Sequence, residues 1–240
     1  EAGTPLIKSA GMEAVRRLRA EFPDREIVAD MKVADTGTLE VEMAAKSGAG
    51  IVCILATADD EVVREAVRAK HLYGVRIMAD LINSPDPVGR AARLEELGVD
   101  IIAAHAGIDQ QMVGVTSVDL VRDLAGRVSV PIAVAGGLDA ESAAEAVRSG
   151  ASIVIVGGNI VRSGHVTGST GKIRRAIDRP GGRRRAARTR DEEIRKLLSA
   201  VSTPNISDAM LRKGAMQGIL SICGDVKMAG RAVTVQTFAG

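Results

Sequence analysis

The sequence contains few aromatic residues. Of its 240 residues only Phe22, Tyr73 and Phe238 are aromatic, and tryptophan is absent. Because proteins that bind single-stranded nucleic acids stack the bases on aromatic side chains, we do not expect a nucleic-acid surface of that kind. The net charge of +2 gives no further indication of an acidic or basic partner.

Cysteines and long apolar runs are also scarce. Cys53 and Cys223 are far apart in the sequence, and no uninterrupted apolar run is long enough to span a membrane. Two separated thiols do not indicate a disulfide framework, and they fit a reducing compartment. We therefore expect a cytoplasmic protein without a membrane partner.

Apolar strands alternating with helices fill residues 1–178. Residues 50–56, for example, form a continuous apolar run, as expected of a strand buried on both faces. Regular alternation predicts parallel strands in a (β/α)8 TIM barrel, whose active site lies at the carboxyl ends of the strands. Six complete strands and the end of another at residues 1–3 can be recognised. We therefore expect a barrel that lacks its first β/α unit, in a chain truncated at its N-terminus.

The composition changes after the last predicted helix. Residues 172–190 are rich in arginine and contain the Pro-Gly-Gly sequence at 180–182, which indicates a domain boundary. We predict the barrel over residues 1–178, a basic linker over 179–190, and the start of a second α/β domain over 191–240, truncated at its C-terminus. The basic segment is either a solvated linker or an RNA-binding arm.

Charged residues follow the apolar strand that begins near Glu26. Asp30 and Lys32 are two residues apart, so in a regular strand they lie on the same face, and Asp35 follows where the chain turns towards a helix. Buried charges are costly unless they are paired. Asp30 and Lys32 therefore form either a structural salt bridge or part of a catalytic group.

Two glycine pairs end the last two predicted strands: Gly136 with Gly137, and Gly157 with Gly158. Glycine allows backbone N–H groups to approach an anion closely, and TIM barrels bind phosphate at this position. Tight turns also require glycine, but two pairs on adjacent strands favour a phosphorylated substrate.

A histidine and several acids complete the candidate site. His105 stands at a predicted strand end, where it could transfer protons near neutral pH or only hydrogen-bond locally. Glu1, Asp30 and Asp80 could converge at the barrel mouth, and carboxylates with room for water are typical of a Mg²⁺ site. The sequence pattern leaves the metal and the metal-free alternatives open.

These residues resemble the orotidine 5′-phosphate decarboxylase superfamily, whose signature Asp-x-Lys-x-x-Asp is matched by Asp30, Lys32 and Asp35. Within it, the chain is most similar to the 3-hexulose-6-phosphate synthase family. That likeness rests on three segments: residues 1–8, 29–32 and 105–111. The related 3-keto-L-gulonate 6-phosphate decarboxylases tend to carry arginine where this chain has Ile108 and Gly158, and both differences favour the synthase.

The resemblance implies a reversible aldol reaction between formaldehyde and ribulose 5-phosphate, with Mg²⁺ as the cofactor. Glu1 and Asp30 would bind the metal, Lys32 would stabilise an enediolate, and His105 would move the proton. Asp35 would orient Lys32 and reach the site of a neighbouring subunit, which implies a homodimer with a shared active site. The two glycine pairs would hold the phosphate.

Residues 191–240 resemble the beginning of the family related to the regulator of ribonuclease activity. The likeness lies in residues 202–209 and 230–234. Two alternatives to the synthase remain open. One is the related decarboxylase, and the other is a regulatory binding protein in which the basic linker and the second domain act.

Overall fold

Six parallel strands form the centre of the fold. The computed structural model describes residues 1–107, 110–111, 114 and 116–180. The strands pair in chain order, from β1 to β6. They are β1 (Val28–Val33), β2 (Ile51–Leu55), β3 (Arg76–Asp80), β4 (Ile101–His105), β5 (Ile132–Ala135) and β6 (Ile153–Ile155).

Helices connect the strands and cover one face of the sheet. Parallel strands need such crossovers, because each strand must return to the same edge before the next begins. The helices of the described residues are α1 (Thr4–Ala10), α2 (Glu13–Glu21), α3 (Gly37–Lys46), α4 (Asp60–Tyr73), α5 (Pro87–Glu96), α6 (Ser117–Leu124), α7 (Ala140–Arg148), α8 (Gly158–Val161) and α9 (Val166–Asp178). None of them is long and apolar enough to cross a membrane.

The strands are buried on both faces, which explains their continuous apolar sequences. In β2, Val52 and Ile54 belong to the larger core between the sheet and the helices. Ile51 and Cys53 alternate with them and belong to a smaller cluster on the inner face. The predicted parallel α/β fold is therefore confirmed.

Residues before α1 add to the edge of the sheet. The Ala2 N–H donates to the Val28 carbonyl at 2.8 Å, and the Asp30 N–H donates to the Ala2 carbonyl at 3.0 Å. Ala2 thus forms a parallel bridge with Ala29, as expected for the end of another strand. Within the described residues the sheet extends from this bridge to β6, and the closed eight-stranded barrel stays a prediction.

One predicted helix is divided in two. The spacing of apolar residues predicts a single helix over residues 8–21, but the structure has α1 and α2 separated at Gly11 and Met12. Gly11 adopts a positive φ of 64°, which ends α1. The predicted linker over 179–190, apart from Arg179 and Pro180, and the predicted domain over 191–240 lie outside the described residues.

Replacing Gly37 with alanine is expected to destabilise the protein. A Cβ atom there would lie 2.5 Å from the Val62 carbonyl oxygen and 3.0 Å from the Ala66 nitrogen, both in the backbone of α4. Backbone cannot move aside as a flexible side chain can, so we expect a loss of about 1–3 kcal/mol in the free energy of unfolding. This exceeds the helix-propensity gain of at most about 1 kcal/mol.

Urea denaturation measures this difference. Gly164→Ala is the matched control, because a Cβ atom there meets nothing within 4 Å, and it should stay within about 0.5 kcal/mol of the original chain. Equal stabilities for the two variants would contradict the close packing of α3 on α4.

Candidate active site

A bulge in β1 places the first charged side chains. Ala29 pairs with Val52 and Val33 pairs with Ile54, so β1 contains more residues than the stretch of β2 opposite it. Lys32 lies within this bulge and adopts a φ of 49°, which is strained for a residue with a side chain. The strand is therefore less regular than predicted, but Asp30 and Lys32 still meet.

Asp80 lies at the centre of the charged group. It is the last residue of β3, and its side chain is only 4% exposed. Its Oδ2 atom accepts a hydrogen bond from Lys32 Nζ at 2.6 Å and lies 2.8 Å from His105 Nδ1. Its Oδ1 atom accepts from the Ile82 N–H at 2.9 Å. One carboxylate thus joins the carboxyl ends of β1, β3 and β4.

The charges of this group stabilise one another. Burial by itself would raise the pKa of the Asp80 carboxyl, but His105 and the Lys32 ammonium lower it below its usual value. Burial would lower the pKa of Lys32, but the charges of Asp80 and Asp30 raise it above its usual value. Asp80 is therefore ionised and Lys32 protonated at neutral pH.

Asp30 is held by two neighbouring side chains. Lys32 Nζ donates to its Oδ1 at 3.2 Å, and Thr4 Oγ1 donates to its Oδ2 at 2.6 Å. Thr4 is the first residue of α1 and is buried. These two donors fix the carboxylate beside Lys32 on the inner side of the sheet.

The position of Glu1 follows from the Ala2 bridge. Since Ala2 pairs with Ala29, Glu1 lies beside Val28, on the same face as Asp30. Glu1 is exposed as a whole residue, but protein atoms crowd its carboxyl group. This burial and the charge of Asp30 raise the pKa of Glu1 above its usual value. Two carboxylates that repel one another are suited to a bound cation.

Cys53 lies beneath the acids on the inner face. Among the described residues, one group of side chains brings three potential metal-ligand atoms within 4.8 Å of one another: Asp30, Cys53 and Asp80. Burial raises the pKa of the Cys53 thiol well above its usual value, and the charges of Asp80 and Asp30 raise it further. A protonated thiol is a poor ligand, so the carboxylate oxygens are the groups suited to a hard cation.

The first glycine pair packs against the end of β4. Gly136 has a φ of 100°, and a Cβ atom there would lie against the Ala106 carbonyl oxygen and 3.2 Å from His105 Cδ2. A Cβ atom at Gly137 would meet the carboxamide of Gln111. Gly136 therefore requires glycine because the Ala106 backbone fills the space, and Gly137 requires it because its φ of 66° disfavours a side chain.

The second glycine pair has a different environment. A Cβ atom at Gly157 would meet open space, whereas one at Gly158 would meet the guanidinium of Arg162. This exposed arginine, one turn along from the start of α8, places a positive charge beside the predicted phosphate site. The sequence analysis did not identify Arg162, although its spacing of four residues from Gly158 could have indicated it.

Ile108, the other position that distinguishes the synthase from the related decarboxylases, lies outside the described residues.

Asp35 does not join the charged group within this chain. It is exposed, and its Oδ1 accepts from the Thr36 N–H at 2.7 Å. Lys32 is instead held by Asp30 and Asp80. The expectation that Asp35 orients Lys32 therefore stays a prediction, which these contacts within the chain do not test. A role in the site of a neighbouring subunit stays a prediction.

Acids, a lysine and a histidine at the carboxyl ends of parallel strands define a class of enzyme that transfers protons and stabilises negative charge. The chain belongs to the orotidine 5′-phosphate decarboxylase / HUMPS family, whose model matches residues 1–173. This membership confirms the likeness predicted for the first part of the chain. The prediction for residues 191–240 concerns residues that the structure does not describe.

Similar proteins identify the branch of the family. The 3-hexulose-6-phosphate synthase of Bacillus subtilis (strain 168) is 32% identical over 178 residues, which cover 74% of this chain and 85% of that protein. The solved structure of 3-hexulose-6-phosphate synthase from Salmonella typhimurium has a TM-score of 0.70 and 31% identity, covering 74% of this chain and 85% of that one. The prediction of an enzyme related to this synthase is thus confirmed.

A decarboxylase shares the fold. The structure of 3-keto-L-gulonate-6-phosphate decarboxylase from Vibrio cholerae O1 biovar El Tor has a TM-score of 0.65 and 23% identity, covering 75% of this chain and 85% of that one. At this identity the likeness shows a common fold, and it does not identify the reaction.

Asp80→Asn is expected to weaken the charged group. Asparagine keeps an acceptor for the Ile82 N–H but leaves Lys32 with a weaker partner. We expect the free energy of unfolding to fall by about 2 kcal/mol at neutral pH. This is less than for a fully buried ion pair, because the Lys32 side chain is 22% exposed. Urea denaturation of both proteins measures it, with the exposed Asp24→Asn as the control.

The stability lost in Asp80→Asn should depend on pH. The folded protein lowers the pKa of Asp80. The contribution of Asp80 to stability is therefore present above the usual aspartate pKa of 3.8 and disappears as the pH falls through the lowered pKa. The difference between the two proteins should therefore shrink below pH 3.8. A difference that does not change with pH in this acidic range would contradict an ionised Asp80.

Proposed function

We propose that this chain catalyses the reversible aldol reaction of formaldehyde with ribulose 5-phosphate to give 3-hexulose 6-phosphate. The observation that supports it most is the shared hydrogen bonding of Lys32 and His105 to Asp80, in a family whose curated relatives carry that synthase name. The reaction requires a proton to be removed beside a ketone, and it requires the resulting negative charge to be stabilised. A base and a fixed cation are the groups that these two tasks need.

His105 is suited to act as the base at its Nε2 atom. An ionised carboxylate can only accept hydrogen bonds, so the Nδ1 atom facing Asp80 carries the proton. In the neutral ring the Nε2 atom then has the free lone pair. Asp80 would also stabilise the imidazolium that forms when His105 takes the substrate proton.

Lys32 is suited to stabilise the enediolate. Asp80 and Asp30 keep its ammonium protonated and limit its movement, since both accept hydrogen bonds from Nζ. A cation that is already oriented needs no reorganisation when charge develops on the substrate. The strained backbone of Lys32 is typical of a residue placed for function.

Glu1 and Asp30 would hold a Mg²⁺ ion. Their oxygens fit a hard cation, because the two carboxyl groups are close enough for Asp30 to raise the pKa of Glu1. When bound, the ion would supply Lewis-acid stabilisation of the substrate oxygens. Thr4 would keep Asp30 oriented towards it.

The glycine turns after β5 and β6 would bind the substrate phosphate. They stand on adjacent strands, and Arg162 lies beside the second turn. Backbone N–H groups and a guanidinium are typical phosphate donors. The phosphate would thus anchor the substrate with its carbonyl end near His105.

Two further proposals concern the assembly. Asp35 is exposed, and we propose that it completes the site of a second copy in a homodimer. We also propose that the six described strands belong to an eight-stranded barrel, because Ala2 extends the sheet beyond β1.

Two product assays test the proposed reaction. The full chain should release formaldehyde from 3-hexulose 6-phosphate, and it should not release CO₂ from 3-keto-L-gulonate 6-phosphate. CO₂ release without formaldehyde release would favour the decarboxylase and reject the synthase. The absence of both activities would favour the alternative of a regulatory binding protein.

Lys32→Ala should abolish turnover while leaving phosphate binding intact. We expect turnover to fall about 100-fold or more, as when one oriented group that stabilises a developing charge is removed. The dissociation constant for inorganic phosphate should stay within about twofold, because phosphate is expected at β5 and β6. Arg68→Ala serves as the control, since Arg68 is a surface residue paired with Glu61. Near-normal turnover of Lys32→Ala would remove Lys32 from the mechanism.

A further inference from the structure

A buried serine hydroxyl lies between the two halves of the candidate site. Ser117 is the first residue of α6 and is 2% exposed. Its Oγ accepts a hydrogen bond from the Ala106 N–H at 3.1 Å and donates to the Ala135 carbonyl. The Gly136 carbonyl oxygen lies 3.3 Å from the same Oγ.

These contacts replace a hydrogen bond of the sheet. β4 and β5 are paired as far as His105 and Ala135, and Ile102 shows the pattern by donating to the Pro131 carbonyl. Beyond the last pair, the Ser117 hydroxyl stands between the Ala106 N–H and the Ala135 carbonyl. It thereby joins the residue after His105 to the residue before the first glycine pair.

The hydroxyl also sets the direction of the neighbouring N–H groups. In a trans peptide the carbonyl and the following N–H point in opposite directions, and the described residues contain no cis peptide. Because the Ala135 carbonyl faces Ser117 on the β4 side, the Gly136 N–H faces β6, which Gly157 follows. The Gly136 carbonyl also approaches Ser117, so the Gly137 N–H points away from it as well.

The two glycine N–H groups stand at the end of the ladder between β5 and β6. Ala135 pairs with Ile155 in the last step of that ladder, so the Gly136 N–H lies towards the end of β6 and the Gly137 N–H follows it. Successive N–H groups in a glycine turn are typical of an anion-binding site.

The helix does not need the Ser117 hydroxyl for its own capping. The N-cap of α6 is Thr116, whose Oγ1 accepts from the Asp119 N–H at 3.1 Å. The Ser117 hydroxyl is therefore committed to the two strand ends. Alanine at position 117 would lack the hydroxyl and would leave the buried Ala106 N–H and Ala135 carbonyl without this partner.

We infer that Ser117 is a positioning residue, which orients the Gly136–Gly137 turn for the substrate phosphate and fixes that turn to the strand end carrying His105. This inference rests on the proposed function, because it deepens the assignment of the first glycine pair to phosphate. Ser117 itself does not touch the substrate.

Calorimetric titration of the full chain with inorganic phosphate, and then with ribulose 5-phosphate, tests this role. Ser117→Ala should raise both dissociation constants about tenfold. This is the effect expected when a glycine N–H is no longer oriented to make its charge-assisted hydrogen bond to the phosphate. Ser47→Ala is the matched control, because Ser47 is also buried and accepts from Arg16 at 3.2 Å at the opposite ends of the strands. The control should keep the phosphate affinity even if it loses comparable thermal stability.

Ser117→Thr provides a second test, because threonine keeps the hydroxyl. It should bind phosphate within about threefold of the original chain. In the original chain, NMR amide signals of Gly136 and Gly137 should shift on addition of phosphate, and the shifts should be reduced in Ser117→Ala.

The outcomes separate this inference from the proposed reaction. Unchanged phosphate affinity in Ser117→Ala, or equal losses in Ser117→Ala and Ser47→Ala, would overturn the positioning role. Failure of the original chain to bind either phosphate compound would also overturn it. Phosphate binding that depends on Ser117, without formaldehyde release, would support the inference and reject the proposed reaction.

Discussion

The candidate site depends on one buried carboxylate, that of Asp80. Its Oδ2 atom contacts both Lys32 Nζ and His105 Nδ1, so a single oxygen fixes the cation and the base relative to each other. An ionised carboxylate in such a buried position is stable only because these partners compensate for the lost hydration. The same contacts keep Lys32 protonated, and in the proposed function they would leave the Nε2 atom of His105 available for proton transfer.

The rest of the fold supplies rigid positions for this group and for the glycine turns. The strands are packed on both faces, so their carboxyl ends cannot move independently. At two points the regular sheet is interrupted: the bulge that contains Lys32, and the place where the Ser117 hydroxyl stands between β4 and β5. Both interruptions lie at the candidate site, as expected when local regularity is given up for function.

Much of this arrangement could be predicted from local sequence patterns. The apolar runs identified the strands, and their alternation with helices identified a parallel sheet. Asp30, Lys32 and His105 were identified because charged residues at strand ends are unusual. Asp80 was considered only as a third acid, since its sequence position resembles that of Asp30 and nothing local shows that it meets His105. Ser117 was missed because serine is common at helix ends and its hydroxyl contacts Ala106 and Ala135, which are distant in the sequence. Arg162 was missed although it is only four residues from Gly158, because arginine is common at helix ends.

The sequence by itself determined the order of elements, their parallel arrangement and the edge of the sheet at which the polar residues gather. These properties depend on the period of apolar residues and on turn-forming glycines, which are local. Only the tertiary structure decided that Asp80 joins Lys32 to His105, that Asp35 lies apart from them within the chain, and that a buried serine connects β4 to the glycine turn. Such pairings depend on the register of neighbouring strands and on one bulge, and a shift of one residue would send each side chain to the other face.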